Sequence, residues 1–161
     1  MAERTTPVSP GETAPDFTLK DQRGQDFNLA GQRGKRVLLS FHPLAWTGVC
    51  AKQMQNLEAR KSDFDSLNTV AVGISVDSVP TKQAWAKDLG IKETRVLADF
   101  WPHGQVAKLY GLFREKEGFS QRANVIVDEQ GKVAFVKVYE ISQLPDLDEV
   151  IGELKKSREE S

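Results

Sequence analysis

Short apolar runs alternate along the chain with segments whose apolar residues recur every three or four positions. Val37-Leu38-Leu39-Ser40-Phe41, Thr69 to Val76, Arg95 to Ala98, Ala123 to Val127 and Val133 to Val138 read as strands. Several are apolar at successive positions, which fits the interior of a sheet covered on both faces. Asp128-Glu129-Gln130-Gly131 separates the last two and predicts a hairpin with glycine at the left-handed position. Phe17-Thr18-Leu19 and Phe27-Asn28-Leu29, on either side of Asp21-Gln22-Arg23-Gly24, predict a second hairpin near the start.

Helical patterns fill the gaps. Cys50, Met54, Leu57 and Phe64 share one face of a long helix. Ser78 can cap a second helix that carries Trp85 and Leu89 and stops at Gly90. A short third runs from His103 to Tyr110. In the last, Asp146 and Glu149 have the spacing of a capping box, followed by a stripe of Leu147, Val150, Ile151 and Leu154. Strands alternating with helices, then a closing hairpin and helix, predict an α/β fold with a mixed sheet. Residues 1–13, polar and broken by Pro7, Pro10 and Gly11, predict a flexible arm. The domain proper is expected over 14–156, with a polar tail over 157–161.

Composition narrows the function classes. A length of 161 residues suits one domain. The 22 basic and 23 acidic residues nearly cancel, and without a basic stripe nucleic acid is a poor partner. No apolar run is long enough to span a membrane, and the first residues lack the apolar stretch of a secretory signal. The expectation is a soluble cytoplasmic domain. Two histidines and one cysteine make no convincing zinc site without carboxylates at ligand spacing. Gly31-Gln32-Arg33-Gly34 reads as a turn, since no Lys-Ser/Thr follows at phosphate-loop spacing. No cofactor or metal is expected.

Cys50 is the only cysteine, and it follows the strand at Phe41 through the loop His42-Pro43-Leu44-Ala45-Trp46-Thr47-Gly48-Val49. The start of a helix carries unpaired N–H groups and partial positive charge, which favours thiolate over thiol. Two readings stand side by side. Cysteine packs as a small hydrophobe, and membership of the Met54 face is what an inert core residue would show. Against that, Thr47 lies where an N-cap hydroxyl can satisfy the N–H at Cys50 or reach its sulfur. Pro43 fixes the loop as it leaves the strand, and Gly48 lets backbone approach a ligand closely. On this second reading the sulfur is partly accessible.

Pro43, Thr47 and Cys50 fit the Pro-x-x-x-Thr-x-x-Cys signature of the peroxiredoxins, at a strand-loop-helix junction, and the chain resembles that family. Ala14-Pro15-Asp16-Phe17-Thr18-Leu19 is similar to the family's opening, and Gly34-Lys35-Arg36-Val37-Leu38-Leu39 to its approach to the active-site strand. Arg122, before the strand Ala123 to Val127, looks like its active-site arginine. The likeness runs from about Val8 to about Leu154 and is greatest to the single-cysteine group. It implies a thioredoxin-like mixed sheet flanked by helices, with catalytic Cys50, Thr47, Arg122 and Pro43 and peroxide bound against Thr47, Val49 and Arg122. It further implies a homodimer, in which Trp46 covers the sulfur or meets a partner subunit. Two positions depart from the usual pattern. Gln53 stands where many relatives carry glutamate, keeping a hydrogen bond without the charge. His42 stands where relatives carry an aromatic residue or, in one single-cysteine branch, histidine; it either packs structurally or positions the oxidised sulfur.

The implied reaction is attack by the Cys50 thiolate on a peroxide oxygen. Acidity alone accelerates it little. Lowering a thiol pKa from about 8.5 to about 6 raises its thiolate fraction at pH 7 roughly 30-fold. The same change weakens the nucleophile roughly 10- to 18-fold at a Brønsted slope of ~0.4–0.5. Fixed donors aimed at the two oxygens must therefore supply most of the rate. The candidates are the Thr47 hydroxyl, the Arg122 guanidinium and the first N–H groups of the Cys50 helix. Sulfenic acid then needs an external thiol, either a low-molecular-weight thiol or a thioredoxin- or glutaredoxin-like protein. The alternatives are a peroxide sensor that passes oxidation to a partner and, third, a binding module with an inert cysteine.

Overall fold

The computed structural model describes residues 4–160. In chain order its elements are β1 (Thr18–Lys20), β2 (Asp26–Asn28), a 3-10 turn (Ala30–Gln32), β3 (Arg36–Phe41), α1 (Gly48–Ala59) and α2 (Lys61–Ser66). There follow β4 (Thr69–Ser75), α3 (Val79–Leu89), β5 (Arg95–Ala98), α4 (Gln105–Leu109), β6 (Phe113–Arg114) and β7 (Phe119–Ser120). The chain closes with β8 (Arg122–Val127), β9 (Val133–Tyr139) and α5 (Leu147–Glu160). Seven strands form one mixed sheet in the order β2-β1-β5-β4-β3-β8-β9. β3, β4 and β5 are parallel, while β8 runs antiparallel to β3 and β9 to β8.

Strand periodicity divides the core. Val37, Leu39 and Phe41 face one layer with Phe17, Phe27 and Tyr110 from the N-terminal hairpin and the end of α4. Leu38 faces the other, with Cys50, Met54 and Leu57 of α1, Trp85 of α3 and Val150 and Leu154 of α5. All six residues of β3 are buried, its polar Arg36 and Ser40 included. Asp128 to Gly131 turns β8 into β9, with Gly131 at φ 84.

The predicted long helix is two helices. Arg60, at φ −101 and ψ 14, leaves helical geometry between α1 and α2, and its guanidinium binds Asp63 at 2.6 Å and Asp148 at 3.0 Å. Phe64 still enters the core beside Leu57, so spacing alone carries no sign of the break. Ser78 caps α3 by accepting from Thr81 N at 3.4 Å. The box before α5 is half formed. Asp146 accepts from Asp148 N at 2.9 Å, whereas Glu149 turns to Lys137 at 2.8 Å and to the Tyr139 hydroxyl at 3.1 Å. The two-residue strands β6 and β7 are too short to show a period, and the sequence reading passed over them.

The segment expected as a flexible arm is fixed from Arg4 onward. Val8, alone among polar residues, is 2% exposed in the core, and its N–H donates to Tyr110 O at 3.1 Å. Arg4 pairs with Glu12 at 3.0 Å, and Gly11 N–H reaches Val133 O at 2.8 Å. Met1, Ala2 and Glu3 lie outside the described residues. At the other end α5 passes Lys156, the expected domain limit, and continues to Glu160; Ser161 lies outside the described residues.

Candidate active site

The register of β3 builds the site. Its end is flanked on one side by β4 and on the other by the start of β8, where Phe41 pairs with Ala123. Arg122, the first residue of β8, is thereby delivered beside the chain that leaves β3. His42 still bonds to β4, donating to Ile74 O at 3.0 Å. Pro43 then starts the loop. Asp77 Oδ2 holds it by accepting from Ala45 N at 2.7 Å. Trp46 takes a left-handed φ of 68, a strained conformation for a residue with a side chain. Thr47 is extended at the N-cap, its carbonyl accepts from Ala51 N at 2.9 Å, and α1 begins at Gly48. Cys50 falls in the first turn of α1, on the face turned to the sheet.

Arg122 and Cys50 meet under this loop. Arg122 Nη1 donates to Cys50 Sγ at 3.3 Å and to Gln53 Oε1 at 2.6 Å. Its Nε donates to Ile141 O at 2.9 Å, and only 2% of the residue is exposed. Gln53, one turn after Cys50, is itself anchored: its Nε2 donates to Ser40 Oγ at 2.7 Å and Phe41 O at 3.2 Å. The amide supplies both an acceptor for the guanidinium and donors for the strand, which a carboxylate could not do.

The remaining predicted residues fall as follows. Pro43 is buried and Val49 half-buried, directly before Cys50. Thr47 is exposed at the N-cap position, but its hydroxyl donates to Leu44 O at 2.9 Å and makes no capping bond to α1. The sulfur, expected to be partly accessible, is wholly buried. Trp46 is 55% exposed. His42 is wholly buried and bonded to Lys82. The structure thus joins Cys50, Arg122 and Gln53 directly and leaves the Thr47 hydroxyl turned back into the loop.

Sequence reading missed the second half of the network. Ser40 Oγ donates to Asn124 Oδ1 at 2.8 Å across paired strands, and Asn124 Nδ2 reaches the Tyr139 hydroxyl at 3.4 Å. Tyr139 donates onward to Glu149, and burial raises its proton affinity above the ordinary phenol. The available signal was a polar residue inside an otherwise apolar strand: Ser40 in β3 and Asn124 in β8. Lys82, wholly buried on α3, gave no signal, because lysine belongs on exposed helix faces.

Among the described residues no group of three or more His, Cys, Asp or Glu is placed to hold a metal, and no helix is long and apolar enough to cross a membrane. A mixed sheet flanked by helices, with a thiol in the first turn after a central strand and a guanidinium against it, defines a thioredoxin-like thiol protein. The family model for AhpC/TSA matches residues 10–136. The chain belongs to that family, the peroxiredoxins. Alkyl hydroperoxide reductase E of Mycobacterium bovis is 41% identical over 137 residues, covering 84% of this chain and 89% of that protein. Peroxiredoxin 2 of Thermoplasma acidophilum is 34% identical over 150 residues, covering 90% and 74%. The reduced 2-Cys peroxiredoxin of Plasmodium vivax superposes with a TM-score of 0.86 at 28% identity, over 95% of this chain and 83% of that one. Family membership makes the protein a thiol-dependent peroxidase, an oxidoreductase whose 161 residues carry one cysteine.

Proposed function

We propose that Cys50 is the peroxidatic nucleophile, that Arg122, Thr47 and the N-terminal N–H groups of α1 stabilise its transition state, and that an outside thiol completes the cycle. The observation that carries this reading is the 3.3 Å approach of Arg122 Nη1 to Cys50 Sγ. Guanidinium stays charged at any working pH. Gln53 and Ile141 hold it in place, so little reorganisation accompanies the reaction. The sulfur's lone pair forms the S–O bond as the O–O bond breaks, and the departing alkoxide or hydroxide takes up a proton. The peroxide gains two electrons and the sulfur loses them. Sulfenic acid and an external thiol then give a mixed disulfide and water, and a second thiol attacks the outer sulfur, giving an external disulfide, a proton and the free Cys50 thiolate.

Peroxide reaches a wholly buried sulfur only if the loop from Pro43 to Val49 yields. Trp46, Thr47 and Gly48 are exposed and form the outer side of that loop. In this reading Pro43 and Val49 shape the opening. The assembly is a homodimer in the cytoplasm. Trp46 at 55%, Phe100 at 51% and Trp101 at 80% exposure follow β3 and β5 at the same end of the sheet, an apolar rim that a second copy would cover. Intact mass after one equivalent of hydroperoxide, with and without a small thiol, tests the chemistry. Wild type should gain one oxygen, and Cys50→Ser none. An unoxidised wild type would return Cys50 to the role of a core residue, and oxidation relieved only by one protein partner would mark a sensor.

A further inference from the structure

Lys82 is wholly buried and makes no ion pair among the described residues. Its Nζ lies 3.0 Å from His42 Nε2, both residues are wholly buried, and that is its one hydrogen bond among the described residues. The Trp85 ring covers the pair, 5.4 Å from Nζ and 5.3 Å from the imidazole centroid. The His42 backbone is held on both sides. Its N–H is bound to Ile74 O at 3.0 Å and its carbonyl accepts from Ser120 Oγ at 3.2 Å. A single proton between Nζ and Nε2 gives either an ammonium donating to neutral imidazole or a neutral amine accepting from it; two cations facing each other there would repel without solvent.

The surroundings place this charge near balance. Burial pushes Lys82 down to about 7, opposed by the negative charges of Asp77 ahead of α3, Cys50 on α1 and Asp99 after β5. Burial, then the Lys82 charge and more weakly Arg122 on β8, hold His42 well below the ordinary imidazole range. Of the charges favouring the Lys82 ammonium, that of Cys50 is the one the peroxidase reaction removes. Coupling between two sites is reciprocal. Whatever the Cys50 thiolate does for the Lys82 ammonium, the ammonium does for the thiolate.

We propose that the Lys82–His42 pair is a buried, proton-holding positioning element for Cys50: it carries one positive charge while the sulfur is thiolate and gives that charge up when the sulfur becomes neutral sulfenic acid or disulfide. This rests on Cys50 being the nucleophile. The proton count then closes within the protein. Thiolate plus hydroperoxide gives sulfenic acid plus alkoxide, and the proton leaving the pair equals the one the alkoxide takes up. Reduction by thiols regenerates the thiolate, and the pair takes a proton back.

Lysine labelled with 13C at Cε, followed by NMR against pH in the full chain, reads the charge directly, with Lys82→Met identifying the resonance. The reduced protein should show one lysine with a midpoint near 7. In Cys50→Ser that midpoint should fall by roughly one pH unit, the order expected for loss of a unit charge in a shared interior. An ordinary lysine midpoint, or the same midpoint with and without the sulfur, overturns the proposal. A merely structural Lys82 would give the second result. The titration uses no peroxide, so failure of Cys50 to react with hydroperoxide would be seen separately by mass.

Discussion

Arg122 and Gln53 are locked across the sheet and α1 by a 2.6 Å hydrogen bond, and the same guanidinium nitrogen reaches Cys50 Sγ. One amide thus fixes the cation that faces the thiol. Gln53→Leu keeps the side-chain bulk but removes the acceptor for Arg122 and the donor to Ser40 Oγ and Phe41 O, leaving one Arg122 contact unmade in a buried site. Stability should drop by about 1–3 kcal/mol in urea unfolding. The single-turnover oxidation rate should fall as well, since Arg122 then has a wider range of positions. Unchanged kinetics in a destabilised variant would confine Gln53 to structure.

Arg122→Met and Thr47→Val separate population from stabilisation. Loss of one preorganised donor costs ~2.7–4 kcal/mol, or ~10²–10³ in rate. Stopped-flow oxidation at a pH where wild type and variants are all thiolate should show a loss of that order for Arg122→Met. Thr47→Val should approach it only if the hydroxyl leaves Leu44 O when peroxide enters. Equal rates across the three proteins would remove both residues from the transition state.

The parts legible in the sequence were those with local grammar. Pro43, Thr47 and Cys50 mark a strand-loop-helix junction, and β3, β5 and β8 show as apolar runs. Arg122 was singled out by the family resemblance, as an arginine at the head of a strand, and the antiparallel pairing of β3 with β8 gives that position its meaning. What escaped was non-local. Nothing in the spacing of Ser40, Gln53 and Asn124 shows that they share one hydrogen-bond chain. The helix pattern of Val79–Leu89 offers Lys82 to solvent, whereas α3 packs it onto His42. Thr47 was placed at the right position with the wrong bond, because an N-cap hydroxyl has a competing acceptor in the tight loop behind it.

Gly73 is the floor of the site. It pairs with Ser40 in the parallel register, and a Cβ there would overlap Met54 Sδ and lie 3.3 Å from His42 Cε1. Gly73→Ala should therefore displace Met54 on the Cys50 helix and cost on the order of 1–3 kcal/mol as overpacking. Because Met54 is one turn from Cys50, oxidation should slow at the same time. Wild-type stability and rate would show that Met54 swings aside freely.

Asp99 sets a pH dependence of stability. Burial pushes its carboxyl up to about 6, outweighing bonds of 3.0 Å from Val106 N and Ala107 N at the start of α4. The folded state holds the proton more tightly than the unfolded chain. The stability this group contributes is therefore fully present below the ordinary carboxylate value and is lost as pH rises through about 6. Between pH ~4 and ~7 wild type should lose up to about 3 kcal/mol more than Asp99→Asn. Urea midpoints of both proteins at the two pH values check the sign, and a parallel pair of curves would show that Asp99 titrates as an exposed acid.

The oxidised protein should wait for an outside thiol, because the 161 residues hold no second cysteine to form an internal disulfide. Peroxide alone should add one oxygen, and excess peroxide a second as sulfinic acid, which ordinary thiols do not reverse. A small thiol present from the start should give a mixed-disulfide adduct, and more thiol should restore free Cys50. The competing product is a covalent dimer through two Cys50 sulfurs. Each is wholly buried beside Met54 and Leu57, so both would have to leave their helices' packed faces to meet. Non-reducing gels with intact mass distinguish the two. A dominant disulfide dimer at low protein concentration would make a second subunit the first electron donor.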